Sequence, residues 1–193
     1  RDLGLFGRAT ALVSIPVTSL GYVLNRTLFP LFSSLQGNRA ALLNRYFQSI
    51  KVLILVILPI LILIGLLANE VVLMLFGERW IEVGPFVSVL SLYALFQCIN
   101  AFNDSFLVSQ GRSDILLRMN LFEKALLVFG VIFGLRYGIV GVIWAKTFSL
   151  AIGFIPRIWT VCRILKLGMG EWFSNVISLV FGLTLMALVG WVA

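Results

Sequence analysis

Long apolar runs alternate along the chain with short polar segments. Six of the runs are close to the roughly 20 residues that a helix needs to cross a bilayer. They lie at roughly 8–32, 50–67, 83–109, 115–135, 138–161 and 172–192. The second, IKVLILVILPILILIGLL, is apolar all round, as expected of a helix facing lipid or wholly buried. Pro59 lies inside it and removes one backbone donor. The first run is the least hydrophobic and holds Ser14, Thr18, Ser19, Asn25 and Arg26. A shorter piece, VVLMLFGERW, cannot span. It reads as an interfacial or re-entrant turn that ends at Gly77, with Trp80 at the headgroup level. Short connections predict antiparallel neighbours. The expected fold class is all-α: a polytopic transmembrane helical bundle of about six spanning helices.

Composition agrees with this pattern. The chain is 61% apolar and only 12% charged, too few polar groups to cover a soluble protein of 193 residues. Its mean hydropathy is +1.07. The chain opens at Arg1-Asp2 without a Met or a signal pattern. The expectation is a piece of a longer protein, with residues 1–193 forming one transmembrane bundle.

The net charge is +7, but no basic stripe interleaved with aromatics appears, so nucleic acid is not an expected partner. The cations are better read as topology signals. Arg39, Arg45, Lys51, Arg112, Arg118, Arg157, Arg163 and Lys166 count with the loops after runs one, three and five. Arg1, Arg8, Arg79 and Arg136 lie on the other side. Eight against four places the first set in the cytoplasm and both chain ends outside.

Run three carries the least expected chemistry. In LYALFQCINAFNDSF, Tyr93, Gln97, Asn100 and Asp104 are spaced by four, three and four, with Asn103 beside them. At about 100° per residue they form one polar stripe on an apolar helix. That stripe is expected to face the bundle or a water-filled cavity. The other charges within the runs are Arg26, Glu123, Lys124 and Lys146. Glu123 and Lys124 are adjacent, point about 100° apart, and are each expected to need a partner elsewhere. A charge at membrane depth costs at least about 2.5–3.5 kcal/mol, so such residues pair or serve a pathway. Two compatible readings follow. The charges neutralise one another between helices, or they line a cationic cavity for an anionic headgroup, with amides contacting sugar hydroxyls. The substrate-cavity candidates are thus Arg26, Gln97, Asn100, Asn103, Asp104, Glu123, Lys124 and Lys146.

Catalysis is not expected. The chain has no His, and Cys98 and Cys162 lack a CxxC spacing, so no metal site or cofactor is read from it. No Walker A pattern appears. Gly130 and Gly134 form a GxxxG, and Gly138 and Gly141 bracket a turn; close packing explains both.

The order of several short motifs resembles a known family. These are the Gly-x-aromatic-x-Arg-Ala lead at Gly4–Ala9, Pro16, and LFPLFSSLQ at Leu28–Gln36. They continue with LPILILIGLLANEVVLMLFGERW ending at Trp80, SQGRSD at 109–114 and YGIVGVIWA at 137–145. Together they resemble the C-terminal half of bacterial polysaccharide flippases of the multidrug/oligosaccharidyl-lipid/polysaccharide superfamily. The resemblance implies a two-lobed fold with six helices per lobe around a central cavity, the N-terminal lobe being absent from this chain. It implies transport of polyprenyl-pyrophosphate-linked oligosaccharides across the bacterial inner membrane by alternating access. Surface polysaccharide, O-antigen, exopolysaccharide or lipopolysaccharide biosynthesis would be served, with membrane lipids and a polysaccharide polymerase as further partners. No site residue is carried over by motif. Arg26, Lys124 and Lys146 are the pyrophosphate candidates on charge alone. A cation-coupled drug exporter of the same superfamily and an integral membrane glycan polymerase or ligase remain open alternatives.

Overall fold

The computed structural model describes residues 2–176. These residues form helices α1 (Asp2–Val23), α2 (Phe29–Ser34), α3 (Arg39–Leu66), α4 (Ala68–Phe76), α5 (Gly84–Ser109), α6 (Ser113–Gly134) and α7 (Gly138–Leu165). A π-helical turn, Leu24–Leu28, joins α1 to α2, and a 3-10 turn, Glu78–Val83, leads into α5.

Three segments are long and apolar enough to cross a membrane by length and composition: Arg39–Leu66, Glu78–Ser109 and Val140–Leu165. They match the second, third and fifth expected spans to within two residues at the overhanging ends. The first and fourth expected spans are also helical, as α1 with its π-turn and α2, and as α6. The sixth lies for the most part outside the described residues.

Local chemistry explains the boundaries. The side chain of Asn38 accepts the amide of Ala41 at 3.1 Å and caps α3. At the end of α5, Gly111 takes φ +71°, the left-handed conformation that glycine adopts without strain. There the Arg112 amide reaches Leu107 O at 3.0 Å and the Gly111 amide reaches Val108 O at 3.0 Å, closing the helix with a Schellman motif. Three hydroxyls of α1 are satisfied within their own helix. Ser14 donates to Ala11 O, Thr18 to Ser14 O and Ser19 to Ile15 O, which lets the least hydrophobic run remain helical. Pro16, Pro59 and Pro156 lie inside α1, α3 and α7, and each helix continues through its proline. The short piece after α3 is the helix α4, closed by Gly77. The Arg8 guanidinium lies 4.4 Å from the Trp80 ring centroid.

α5 is the central helix and packs against α1, α3 and α7, while α6 packs chiefly on α7. Two apolar clusters fill the interior. One, at the end where α3 begins and α5 and α7 finish, holds Phe32, Tyr46, Phe102, Phe106 and Trp172. The Phe106 ring lies 4.9 Å from Tyr46 and 5.2 Å from Phe32, both edge-on. The other cluster gathers Ala9, Val13, Ile57, Val87, Ala94 and Ile143. The outside is equally apolar. On α7, Val140, Trp144, Phe148, Ile152, Ile155 and Trp159 are all exposed, along one stripe. On α6 the only buried residues are Glu123 and Gly134, while Leu121, Phe122, Val128, Phe129 and Phe133 point outward. Greasy outside and charged inside is the pattern lipid demands.

α6 and α7 meet at glycines. A Cβ on Gly134 would lie 2.7 Å from the Gly141 carbonyl oxygen, and one on Gly130 would lie 3.2 Å from Ala145 Cβ. The backbones touch, as the GxxxG reading expects. Gly134→Leu should therefore force the pair apart and destabilise the protein by about 1–3 kcal/mol. Gly7→Ala, whose Cβ would meet open space, should be nearly silent. Thermal unfolding midpoints in detergent compare the two variants.

Candidate functional site: a buried charge network

Arg157, on α7 one residue after Pro156, is the hub of the interior polar groups. Only 2% of it is exposed. Its Nε donates to Asp104 Oδ1 on α5 at 2.8 Å. Its Nη1 donates to Glu123 Oε2 on α6 at 2.7 Å and to Gly153 O at 3.1 Å. Its Nη2 donates to Asn120 Oδ1 on α6 at 2.6 Å. The rigid guanidinium fork thus serves three helices at once, which a lysine could not do. Gly153 makes room: a Cβ there would lie 3.0 Å from both Arg157 Nη1 and Glu123 Oε2.

This corrects the reading of Arg157 as a loop cation. Its helix runs on to Leu165, so Arg157 is inside the bundle, and seven cations remain on the basic side against four. It also corrects the pairing of Glu123 with Lys124. The Lys124 Nζ lies 3.4 Å from Glu123 Oε1, because a long flexible stem can fold back onto an adjacent residue. The network then holds two cations and two carboxylates. Neutralisation between helices is the observed arrangement for Asp104 and Glu123, with an arginine that the sequence reading had placed elsewhere.

The polar stripe of α5 faces α7. The Lys146 ammonium sits 4.5 Å from the Tyr93 ring centroid, Asn100 Nδ2 reaches Leu150 O at 3.4 Å, and Asp104 meets Arg157. Gln97 is partly buried on the same helix. Asn103 turns the other way. Its Oδ1 accepts the Tyr46 hydroxyl on α3 at 2.7 Å, and that same hydroxyl oxygen accepts Trp172 Nε1–H at 3.1 Å. Asn103 is fully buried in this contact. The two side amides thus stand in helix packing. Lys124 differs: its side chain is 66% exposed near the middle of α6. Lys146 is close enough to Lys124 for their charges to interact. Arg26 lies on the π-helical turn with its side chain exposed. The structure thus brings Asp104 and Glu123 together through Arg157, sets Lys124 and Lys146 on the adjacent α6–α7 pair, and leaves Arg26 on a different helix.

Sequence reasoning missed Arg157, Asn120 and the Tyr46–Trp172 pair. One signal was available for Arg157. The eight residues after it, IWTVCRIL, continue the helix with a single further cation, so the chain had not yet left the apolar run.

Comparison with known proteins bears on what this arrangement serves. Residues 1–85 match the family described as polysaccharide biosynthesis protein. The chain is 24% identical over 179 residues, 91% of its length, to the teichuronic acid biosynthesis protein TuaB of Bacillus subtilis. It is 24% identical over 131 residues, 68% of its length, to the lipopolysaccharide biosynthesis protein WzxC of Escherichia coli. An uncharacterized membrane protein in the cps region of Klebsiella pneumoniae is 24% identical over 72% of the chain. The alignments cover 37%, 27% and 27% of these proteins, so the chain spans about a third of the length of the curated relatives it matches. No solved structure matches. Over its first 85 residues the chain is similar to the polysaccharide biosynthesis protein family, and over most of its length it is distantly similar to TuaB and WzxC.

Proposed function

We propose that the chain is part of a flippase that carries polyprenyl-pyrophosphate-linked oligosaccharides from the cytoplasmic to the periplasmic leaflet of the bacterial inner membrane. Teichuronic acid and lipopolysaccharide are the products in the names of two relatives, and surface glycan assembly is the process they share. In this reading the protein does no covalent chemistry. It alternates between inward-open and outward-open states around a central cavity, a common arrangement in secondary transporters. Further helices of the same protein complete that cavity.

The observation that carries the reading is Lys124. Its neighbours on the exposed side of α6 are Leu121 and Val128, yet its side chain projects two-thirds exposed from mid-helix. A cation at that depth is not left to hydrocarbon. It marks the side of α6 that meets water, substrate or the remaining part of the protein. Lys146, half-buried beside it, adds a second positive charge on the same helix pair. Arg157, Lys124 and Lys146 set three positive charges against the carboxylates of Asp104 and Glu123, which leaves one net positive charge for a pyrophosphate. Arg26 is a third candidate.

Lys124→Gln and Lys146→Gln, placed in the natural full-length protein, should each lower glycan export several-fold. Both variants should still insert and reach normal membrane levels. Export at the wild-type rate from both would remove them as headgroup contacts. Surface glycan measured against membrane-resident protein on immunoblots separates the two effects.

A further inference from the structure

A second basic site lies outside this network. A cavity of about 530 Å³ opens between the first turns of α6 and the last turns of α7. Arg112, Arg118 and Arg163 ring it, and Phe122, Trp159 and Thr160 are among its walls. The Arg163 guanidinium lies 3.9 Å from the centroid of a Trp159 ring. Its lining includes no carboxylate, and among the described residues no carboxylate pairs with any of the three arginines. Asp114, exposed in the first turn of α6, is the nearest acid in sequence.

The position of the groove identifies its occupant. Its own wall residues Phe122 and Trp159 are exposed apolar rings, so hydrocarbon bathes its lower wall. Its arginines lie at the basic end of the bundle, with Arg39, Arg45 and Lys166. By the excess of Lys and Arg that end faces the cytoplasm. Three unpaired guanidinium groups above an apolar wall, with an indole at the boundary, suit a phosphodiester with two acyl chains beneath it. Arginine forks bind phosphate oxygens bidentately, and basic pockets between membrane helices on the cytoplasmic side take anionic headgroups.

The geometry points to a resident binding site for the headgroup of an anionic glycerophospholipid of the cytoplasmic leaflet, held by Arg112, Arg118 and Arg163. It rests on the membrane orientation used above. It does not rest on transport: the site lies on the outer face of α6 and α7, away from Lys124 and Lys146.

Native mass spectrometry of the natural full-length protein in detergent tests this. The probes are palmitoyl-oleoyl phosphatidylglycerol, the matching phosphatidylcholine, inorganic phosphate and a polyprenyl pyrophosphate. Phosphatidylglycerol adducts should persist at collision energies that strip phosphatidylcholine. Each arginine is worth roughly fivefold in affinity, and Arg118→Gln/Arg163→Gln together about 25-fold. Arg118→Lys/Arg163→Lys keeps the charge and should retain most of the binding, which covers a failure of the double glutamine variant to fold. Lys51→Gln, an exposed cation on α3, should change nothing. Equal retention of phosphatidylcholine would overturn the site, as would phosphatidylglycerol binding unaffected by the double glutamine variant. Inorganic phosphate or polyprenyl pyrophosphate held through these arginines, with phosphatidylglycerol not held, would overturn it too. Glycan export plays no part in the readout, so a failure here is distinct from a failure of the flippase reading.

Discussion

Arg157→Leu should destabilise the protein by about 3–5 kcal/mol, the usual cost of removing one partner from a buried ion pair. The reason is what it leaves behind. Asp104 and Glu123 would lose their guanidinium, and Asn120 Oδ1 and Gly153 O would each lose a donor. Lys124 could still reach Glu123, but nothing on α5 or α6 replaces the bond to Asp104. Arg157→Lys should fall between, because one ammonium on a flexible stem cannot hold acceptors on two neighbouring helices together. The decisive variant is the triple change Arg157→Leu with Asp104→Asn and Glu123→Gln. Neutral partners carry a far smaller desolvation cost, so the triple variant should regain much of the lost stability. Unfolding midpoints by fluorescence-detected size exclusion would show this. A wild-type midpoint for Arg157→Leu, or a triple variant no better than the single, would rule out the network as a stabilising clamp.

Tyr46→Phe is the second large effect. It removes one oxygen and keeps the ring that packs on Phe102 and Phe106. That oxygen both donates to Asn103 Oδ1 and accepts from Trp172 Nε1–H. Two buried groups lose their partner, at about 1–3 kcal/mol each. The expected loss is therefore about 2–6 kcal/mol for a change that leaves the shape of the core intact. Adding Asn103→Leu should recover part of it, since replacing both partners of a buried bond by apolar groups can be nearly neutral. Additive losses in this double-mutant cycle would show that the Tyr46–Asn103 bond contributes nothing of its own.

The positions of the helices were legible because lipid imposes one rule on every exposed position. The run at 83–109 falls inside Glu78–Ser109, and those at 50–67 and 138–161 overlap Arg39–Leu66 and Val140–Leu165 to within two residues. Periodicity also found the stripe of Tyr93, Asn100 and Asp104, which lies against α7. It could not say which helix that stripe would meet, because a stripe marks a direction without naming a neighbour. Nor could it separate Asn103 from Asp104. Adjacent residues point about 100° apart, so one faces α3 and the other α7. Arg157 was lost for a related reason. A cation near the end of an apolar run looks the same in sequence whether it snorkels outward or turns inward. Lys124 and Glu123 show the remaining gap: backbone angles set them apart, but the reach of a lysine stem brings them together.

The Arg157 clamp also has a meaning in time. Asp104 precedes Arg157 by 53 residues and Glu123 precedes it by 34. Ribosomes add about 5–20 residues per second, so Asp104 leaves the tunnel roughly 3–10 s before its cation does. Throughout that interval Asp104 on α5 lacks its counter-charge, and Glu123 on α6 has Lys124 alone. Nascent α5 must shelter its carboxylate against water at the insertion machinery until α7 follows. The arginine therefore acts as a late latch. Biogenesis of this half of the bundle waits on its last described membrane helix, and a ribosome stalled between residues 123 and 157 should leave a chain that the membrane quality-control proteases remove.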